Sequence, residues 1–426
     1  MDRILRENDR TLGLALLSGA AILWTWLHLG MWPLDLTALY YAARFLAAGD
    51  PATAYAAPLG VFSYQPPSAW LAELNAAGRA QDGAVPYIYP PLWAELAAPL
   101  ATRLDPMAFF DIARAAFAAC TAASIWLAWR LMGPGRLGLL PFAAVAILLL
   151  RFTDPLPFAA HLGQPQAFVT FLTLLALERF QAGRPTAAGI ALGVAAGIKI
   201  MPLLVAVVFL ASGDRRATLT ACATAVALAA LSFAVSGIEA HRHYLDLVGE
   251  VGAVVPLVGF NTSVHVLLAA AAGAPYPEAG CQAITWPLTA PVALAGWAAL
   301  AALVAVALRA TAPLREADRY RVRALLVPTI LLLCAPVAWV HYYMLPLMLL
   351  PGLAAIAGRR AALWFGAALV LALSPYPPEK WLDLSLTGSM RIRYAAIVLL
   401  LGAILALLGH LARARAPGPA AAPAPA

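Results

Sequence analysis

LGLALLSGAAILWTWLHLGMW (residues 12–32), followed by PLDLTALYYAARFLAAGDP (residues 33–51), decides the class of this chain. The first run is apolar over about the 20 residues that a helix needs to cross a bilayer core. The second opens with a proline and a carboxylate, Asp35, placed where the hydrocarbon ends. Within it Leu36, Leu39, Tyr40, Ala43 and Ala47 share one helical face, with Tyr41 and Arg44 on the other. The pattern predicts a short helix lying along the membrane surface and carrying an acid, aromatics and a base. Asp35 has two readings, an N-cap of that helix, closed by Gly49, or a reactive carboxylate at the interface. They are compatible, because a capping carboxylate keeps its second oxygen.

The rest of the chain extends the membrane reading. Of 426 residues, 63% are hydrophobic and 12% charged, where a soluble protein has about 25% charged. That excludes a soluble globular protein. Further apolar runs fall at 108–132, 137–151, 164–180, 187–211 and 217–237, then at 286–309, 321–340, 341–357, 361–374 and 392–412. The expectation is an all-α polytopic membrane protein of about 10–12 transmembrane helices. The first run lacks a small-residue cleavage site and reads as a retained helix with its N-terminus inside. The run 187–211 contains Lys199 and Pro202 and reads as two half-helices, and 262–273 is short enough to be re-entrant. If 187–211 turns back, 18 of the 28 Lys and Arg residues fall on one side, which the positive-inside rule makes cytoplasmic. The formal charge of +7 is then topological and does not point to nucleic acid.

The opposite side receives the 33–107 segment and the loops 151–164, 238–260 and 375–391, and with them most of the unusual polar residues. The working face is therefore expected to be the outer one, periplasmic in a bacterium. Residues 1–414 read as a single module, and 415–426 as a disordered Pro/Ala tail.

Cys120, Cys222, Cys281 and Cys334 are scattered and form no CxxC pair. The seven histidines show no metal-ligand spacing, and there is no GxGxxG or Walker pattern. Neither a metal nor a bound nucleotide is expected.

Several groups can carry chemistry. Tyr64 precedes Pro66 and Pro67, and Tyr89 precedes Pro90 and Pro91; prolines fix φ and hold such rings rigidly. Trp70 and Trp93 read as aromatic-belt anchors, whereas Tyr87 and Tyr89 suit a sugar- or lipid-facing role as well as an anchoring one. In RFTDPLPFAAHLGQPQAF (151–168), Asp154 and His161 precede Gln164 and Gln166. Amides at a membrane entrance need partners, either a neighbouring helix or a sugar hydroxyl. Lys199 lies in an apolar run with no acid nearby in sequence. An intramembrane lysine calls for an anionic partner, a phosphate or else Asp35 or Asp154. His341, Tyr342 and Tyr343 sit between two apolar runs and read either as phosphate or sugar contacts or as an interfacial belt. Asn261 is a further polar candidate, and the His241–Tyr244 cluster reads as a solvated loop.

Six of these segments, in this order, resemble the membrane glycosyltransferases of glycosyltransferase family 87. They are DLTALYYAARFLAAGDPATAY, YIYPPLWAELAAPL, HLGQPQAFVTFLTLLAL, GIKIMPLL, FNTSVHVLL and VAWVHYYMLPLMLL. Where the family's Gly-Gln segment often continues with Asn, this chain has Gln164-Pro165-Gln166. The resemblance implies a GT-C fold, an active site at the outer mouth, and a catalytic acid in the first outer loop, here Asp35. It implies a polyprenyl-phosphate sugar as donor, most often mannose, a glycolipid or glycan as acceptor, and no metal. On this reading Arg44, Lys199 and His341 contact the donor phosphate. Tyr41, Tyr89, Asp154, His161, Gln164, Asn261 and Tyr342 contact sugar or acceptor. A lipid-linked sugar transporter and a non-enzymatic envelope-assembly protein are the rival readings. A transporter often shows repeated halves and midplane sites, and no repeat is evident in the sequence.

Overall fold

The computed structural model describes residues 2–57, 60–62, 66–133, 137–275, 284–374 and 386–413. Tyr64, Cys281 and the Pro/Ala tail lie outside the described residues. Among the described residues the regular structure is helical apart from one antiparallel pair, β1 (Val254–Leu257) with β2 (Ile284–Pro287), in which Val255 faces Trp286. Six of the described helices are long and apolar enough to cross a bilayer, and a bent pair makes a seventh. Exposed side chains such as Ile22, Trp26, Leu219, Ile238, Leu294 and Leu363 face outward, as lipid contact requires. This is an all-α polytopic membrane protein. The larger sequence-based number of spans included runs that fold as shorter helices.

Helix α1 (Asp2–His28) is the first span. The 33–107 segment then folds into α2 (Leu34–Ala47), α3 (Pro51–Ala54), α4 (Leu71–Ala76) and α5 (Pro91–Ala101). Helix α2 has the expected bounds, and Gly49, at φ 76°, ends it as anticipated. It does not lie free on a surface. Every residue from Leu36 to Ala43 is buried, because α3, α5 and α6 (Pro106–Met132) pack around it. Its aromatics therefore form the centre of a separate hydrophobic cluster with Tyr55, Trp70, Tyr87 and Phe110. Trp70 is fully buried and donates to the carbonyl of Thr53 at 2.8 Å. The belt-anchor reading fails for it because its ring packs against Tyr41 and Phe45 of α2.

Helices α7 (Leu139–Arg151) and α8 (Pro155–Leu162) meet at 65°. Asp9 of α1 caps α7 from a distance, accepting from the backbone of Leu139 at 2.7 Å and Leu140 at 3.2 Å. After α9 (Gln166–Gln181), the run 187–211 breaks as expected. It forms α10 (Pro185–Ile198), a 3-10 turn (Met201–Val205) and α11 (Ala206–Leu210). Gly189, Gly193 and Gly197 let α10 lie directly on α12 (Arg215–Gly252). A Cβ at Gly189 would meet the carbonyl oxygen of Ala217 at 2.5 Å, the close backbone approach typical of small-residue helix contacts. That contact fixes the end of α10, and so Lys199.

Helix α12 corrects the 238–260 loop. The helix bends at Gly237 (φ 73°) and continues to Gly252. His241 is buried, bonded at 2.8 Å to the Gly237 carbonyl and at 2.9 Å to Ser232, so it does not belong to a solvated loop. Ser232 in turn accepts from the Leu92 amide at 3.2 Å, tying the bend to the start of α5. The short run near 262–273 forms α13 (Val264–Ala271), and α14 (Ala290–Thr311), α15 (Glu316–Leu333), α16 (Met344–Ala357), α17 (Arg359–Ala372) and α18 (Leu386–Arg413) complete the described helices. Their buried apolar residues join those of α6, α7 and α9 in the main core.

Candidate active site

A cavity of about 340 Å³ opens among α2, the 85–90 segment, α8, α9, the break at Lys199 and the turn before α16. That volume lies in the roughly 300–1,000 Å³ range of pockets that bury a ligand. Its walls are mostly apolar, and a few polar groups converge at one end: Asp35, Tyr89, Gln164, Lys199, His341 and Tyr342.

The N-cap of α2 is Pro33, in extended conformation and without a side-chain cap. Asp35 sits in the first turn, and its carboxylate accepts from Nε2 of Gln164. Capping therefore does not explain this residue. Gln164 follows Gly163, which ends α8 in the left-handed region (φ 70°) and lies against α2. A Cβ at Gly163 would come within 2.8 Å of both Leu36 and Pro33. Only glycine serves here, for conformation and for space together. Gly163→Ala is expected to destabilise the protein by about 1–2 kcal/mol from the backbone alone. It should also lower activity by moving Gln164 off Asp35, so thermal unfolding and kcat/KM in detergent should fall together.

Gln164 is the hub. Its Oε1 accepts from the Tyr89 hydroxyl at 2.9 Å and from Lys199 Nζ at 3.2 Å, while its Nε2 donates to Asp35. An ammonium only donates and a carboxylate only accepts, so one amide orientation satisfies all partners. Lys199 is the extended residue after α10 (φ −142°, ψ 128°), just before the turn that holds Pro202. Its ammonium lies 4.4 Å from the Tyr342 ring centroid and 5.4 Å from that of Tyr89, a cation–π cradle. Asp35 and Lys199 are thus bridged by an amide and not collapsed into an ion pair. Burial pushes the Asp35 carboxyl up to about 6, against the opposing pull of the Lys199 charge and the Gln164 hydrogen bond.

His341 is 1% exposed and stacks on Phe158 with ring centroids 5.9 Å apart. Neither ring nitrogen has a protein partner among the described residues. A buried imidazole left unpaired is costly, and one that lines a cavity is available to a ligand.

Asn261 is fully buried and outside the cavity lining. Its Nδ2 donates to the carbonyls of Pro256 and Pro336 at 2.9 and 3.2 Å, and its Oδ1 accepts from the Ala338 amide at 2.8 Å. It clasps the 260–262 segment to the 338–340 segment, and so presents Trp339, His341 and Tyr342 to the cavity. Arg44 pairs with Glu73 at 3.2 Å, and Tyr41 packs on Tyr40 and Trp70. Neither lines the cavity, and Asp154 and the exposed His161 do not line it either. The cavity instead adds Phe158, Trp339, Tyr244 and the α9 stripe Gln166, Thr170 and Thr173. The stripe's spacing of four and three residues from Gln166 was a readable signal. The aromatic positions carried none.

Residues 87–336 match the model of glycosyltransferase family 87. The chain belongs to that family. This family 87 protein is similar to two relatives named polyprenol-phosphate-mannose-dependent alpha-(1-2)-phosphatidylinositol pentamannoside mannosyltransferase. The relative from Mycobacterium tuberculosis (strain CDC 1551 / Oshkosh) is 30% identical over 286 residues, which cover 64% of this chain and 60% of the relative. The one from Mycolicibacterium smegmatis (strain ATCC 700084 / mc(2)155) is 28% identical over 356 residues, 80% of each chain. The match to the first therefore spans under two thirds of that relative's length. Tyr89, Gln164 and Lys199 fall inside the matched family 87 segment, and Asp35 and His341 fall outside it. The cavity brings both sets together.

Proposed function

We propose that the protein is an inverting glycosyltransferase moving a sugar, mannose by analogy with its relatives, from a polyprenyl-phosphate donor to a hydroxyl of a glycolipid or glycan. The work is done at the outer face of the cytoplasmic membrane, the side opposite the arginine-rich turns. The observation that carries the reading is a carboxylate and an ammonium in one cavity, held apart by Gln164. A structural pair would have closed on itself. Separated groups can serve opposite ends of one reaction.

Asp35 accepts the proton of the acceptor hydroxyl as that oxygen attacks the anomeric carbon. The bond from the anomeric carbon to the phosphate oxygen breaks, and its electron pair leaves with the polyprenyl phosphate. Negative charge grows on the leaving oxygen, where the Lys199 ammonium and a ring N–H of His341 stabilise it. Tyr342 and Tyr89 hold Lys199 in place, and Tyr89 and Lys199 together fix Gln164, which orients the base. Trp339 and Phe158 offer flat apolar faces against which a sugar ring can pack. The acceptor in the relatives' names is a phosphatidylinositol pentamannoside, and we take a glycolipid of that chemical kind as the acceptor here. No metal is required, because the donor carries a monophosphate ester and the chain itself supplies the cationic groups.

The test is transfer from radiolabelled polyprenyl-phosphate mannose to a mixed glycolipid extract, with the purified protein in nanodiscs. Labelled glycolipid is expected with the wild type. Export of intact donor across a sealed vesicle, without transfer, would instead establish the transporter reading.

A further inference from the structure

A second groove, about 170 Å³, runs between α1, α6 and α7. Ala20, Ala21 and Trp24 of α1, Ala118 and Ala122 of α6 and Ile147 of α7 line it. The alanines create the gap. Ile22 and Trp26 of the same stretch of α1 are 70% and 67% exposed, so the groove lies beside a lipid-facing surface. Thr121, which also lines it, spends its hydroxyl on the carbonyl of Phe117 at 2.9 Å. What remains is a dry slot for a hydrocarbon chain.

Arg151, at the C-terminal end of α7, closes one end of the slot. It is exposed and makes no hydrogen bond or ion pair among the described residues; its guanidinium lies 5.8 Å from the ring centroid of the exposed Phe152. His28 is within electrostatic reach of it, and His28 is also within reach of the exposed His161. Arg114 acts on His28 as well, but Asp111 neutralises it at 3.0 Å. Most of the chain's basic residues belong to the opposite end of the helices, so an unpaired arginine here runs against the topological charge bias. A guanidinium at the membrane interface matches a phosphodiester through paired hydrogen bonds.

We propose that this groove binds an anionic phospholipid of the bilayer, one acyl chain in the slot and the headgroup phosphate on Arg151. Helix α8 separates the groove from the catalytic cavity. Its Leu156 faces the groove, and its Phe158 and Leu162 face the cavity. The site is thus distinct from that of the proposed donor and stands whether or not the chain transfers a sugar.

The test uses the full chain in phosphatidylcholine nanodiscs. They are doped with phosphatidylglycerol or phosphatidylcholine carrying a diazirine in the acyl chain, and crosslinked peptides are mapped by mass spectrometry. Phosphatidylglycerol is expected to label residues 17–27 and 118–125 about fivefold more than phosphatidylcholine, the preference that one interfacial arginine supplies. Arg151→Gln should reduce that labelling to the phosphatidylcholine level, and Ala122→Trp should remove both. Unlabelled phosphatidylglycerol should compete in the wild type, an arm that needs no variant to fold. Equal labelling by the two lipids would reduce the groove to ordinary boundary lipid, and absence of label from these peptides would overturn the site. Preference surviving Arg151→Gln would put the headgroup elsewhere. Competition by polyprenyl phosphate but not by phosphatidylglycerol would assign the groove to the donor lipid.

Discussion

Asp35→Asn is expected to lower sugar transfer by about 10²–10⁴-fold, the usual contribution of a positioned general base, with little change in the donor KM. The amide keeps the shape of the carboxylate, and its Oδ1 can still accept from Gln164, so the hub stays assembled. What it lacks is the capacity to take a proton. Stability separates this outcome from a structural defect. Burial raises the Asp35 carboxyl from 3.8 to about 6, so the folded state holds the proton more tightly than the unfolded one. The stability that Asp35 contributes is then full below about pH 4 and lost as pH rises through about 6. At pH 7.5 the neutral Asn should unfold at the same temperature as the wild type or higher. A structural residue gives the opposite, a lower unfolding temperature with activity falling in proportion. In the wild type, kcat/KM should fall about tenfold per pH unit below about 6 as the base becomes protonated, and that acid limb should be absent from the residual rate of the variant.

How much of this was legible in the sequence depends on the range of each interaction. The bounds of α2 and the break after Ile198 were readable because proline, glycine and apolar periodicity act within a few residues. The convergence of Asp35, Gln164, Lys199 and His341 in one cavity was not, since the chain separations run to 129 residues for the Asp35–Gln164 bond alone. The resemblance supplied an ordering of segments, and the fold supplied the geometry. Arg44 shows the limit most plainly. On its own helix it looks like a free cation beside an acid, yet Glu73, 29 residues away, takes its charge. Asn261 looked like a ligand contact because two of its three backbone partners, Pro336 and Ala338, lie 75 and 77 residues away, and the third, Pro256, lies in β1. The helix beyond Gly237 was missed because His241, Arg242 and His243 read as surface, and the burial of His241 depends on Ser232 and Phe233, nine and eight residues earlier.

Lys199→Met is the second large effect. Methionine retains most of the side chain's length and its contact with the Tyr342 ring, and removes the charge. If the ammonium stabilises the departing phosphate, kcat/KM should fall about 10²–10³-fold, the scale for losing one preorganised group at a developing anion. If the same charge also binds the donor phosphate in the ground state, the donor KM should rise as well, unlike the Asp35→Asn case. A pH profile links the two residues. The Lys199 charge holds the Asp35 carboxyl down against its burial, so removing it lets the carboxyl rise further. The acid limb of the residual activity should therefore move to higher pH than in the wild type. An unmoved limb would mean that the two groups do not communicate in solution and that the Gln164 bridge is incidental. Lys199→Arg completes the set. It restores charge but places a wider, planar group between Gln164 and Tyr342, so it should return the acid limb towards its wild-type position while recovering only part of the rate. On this reading charge sets the titration of Asp35, and the compact ammonium, held at 4.4 Å from one ring and 5.4 Å from another, sets the fit to the phosphate.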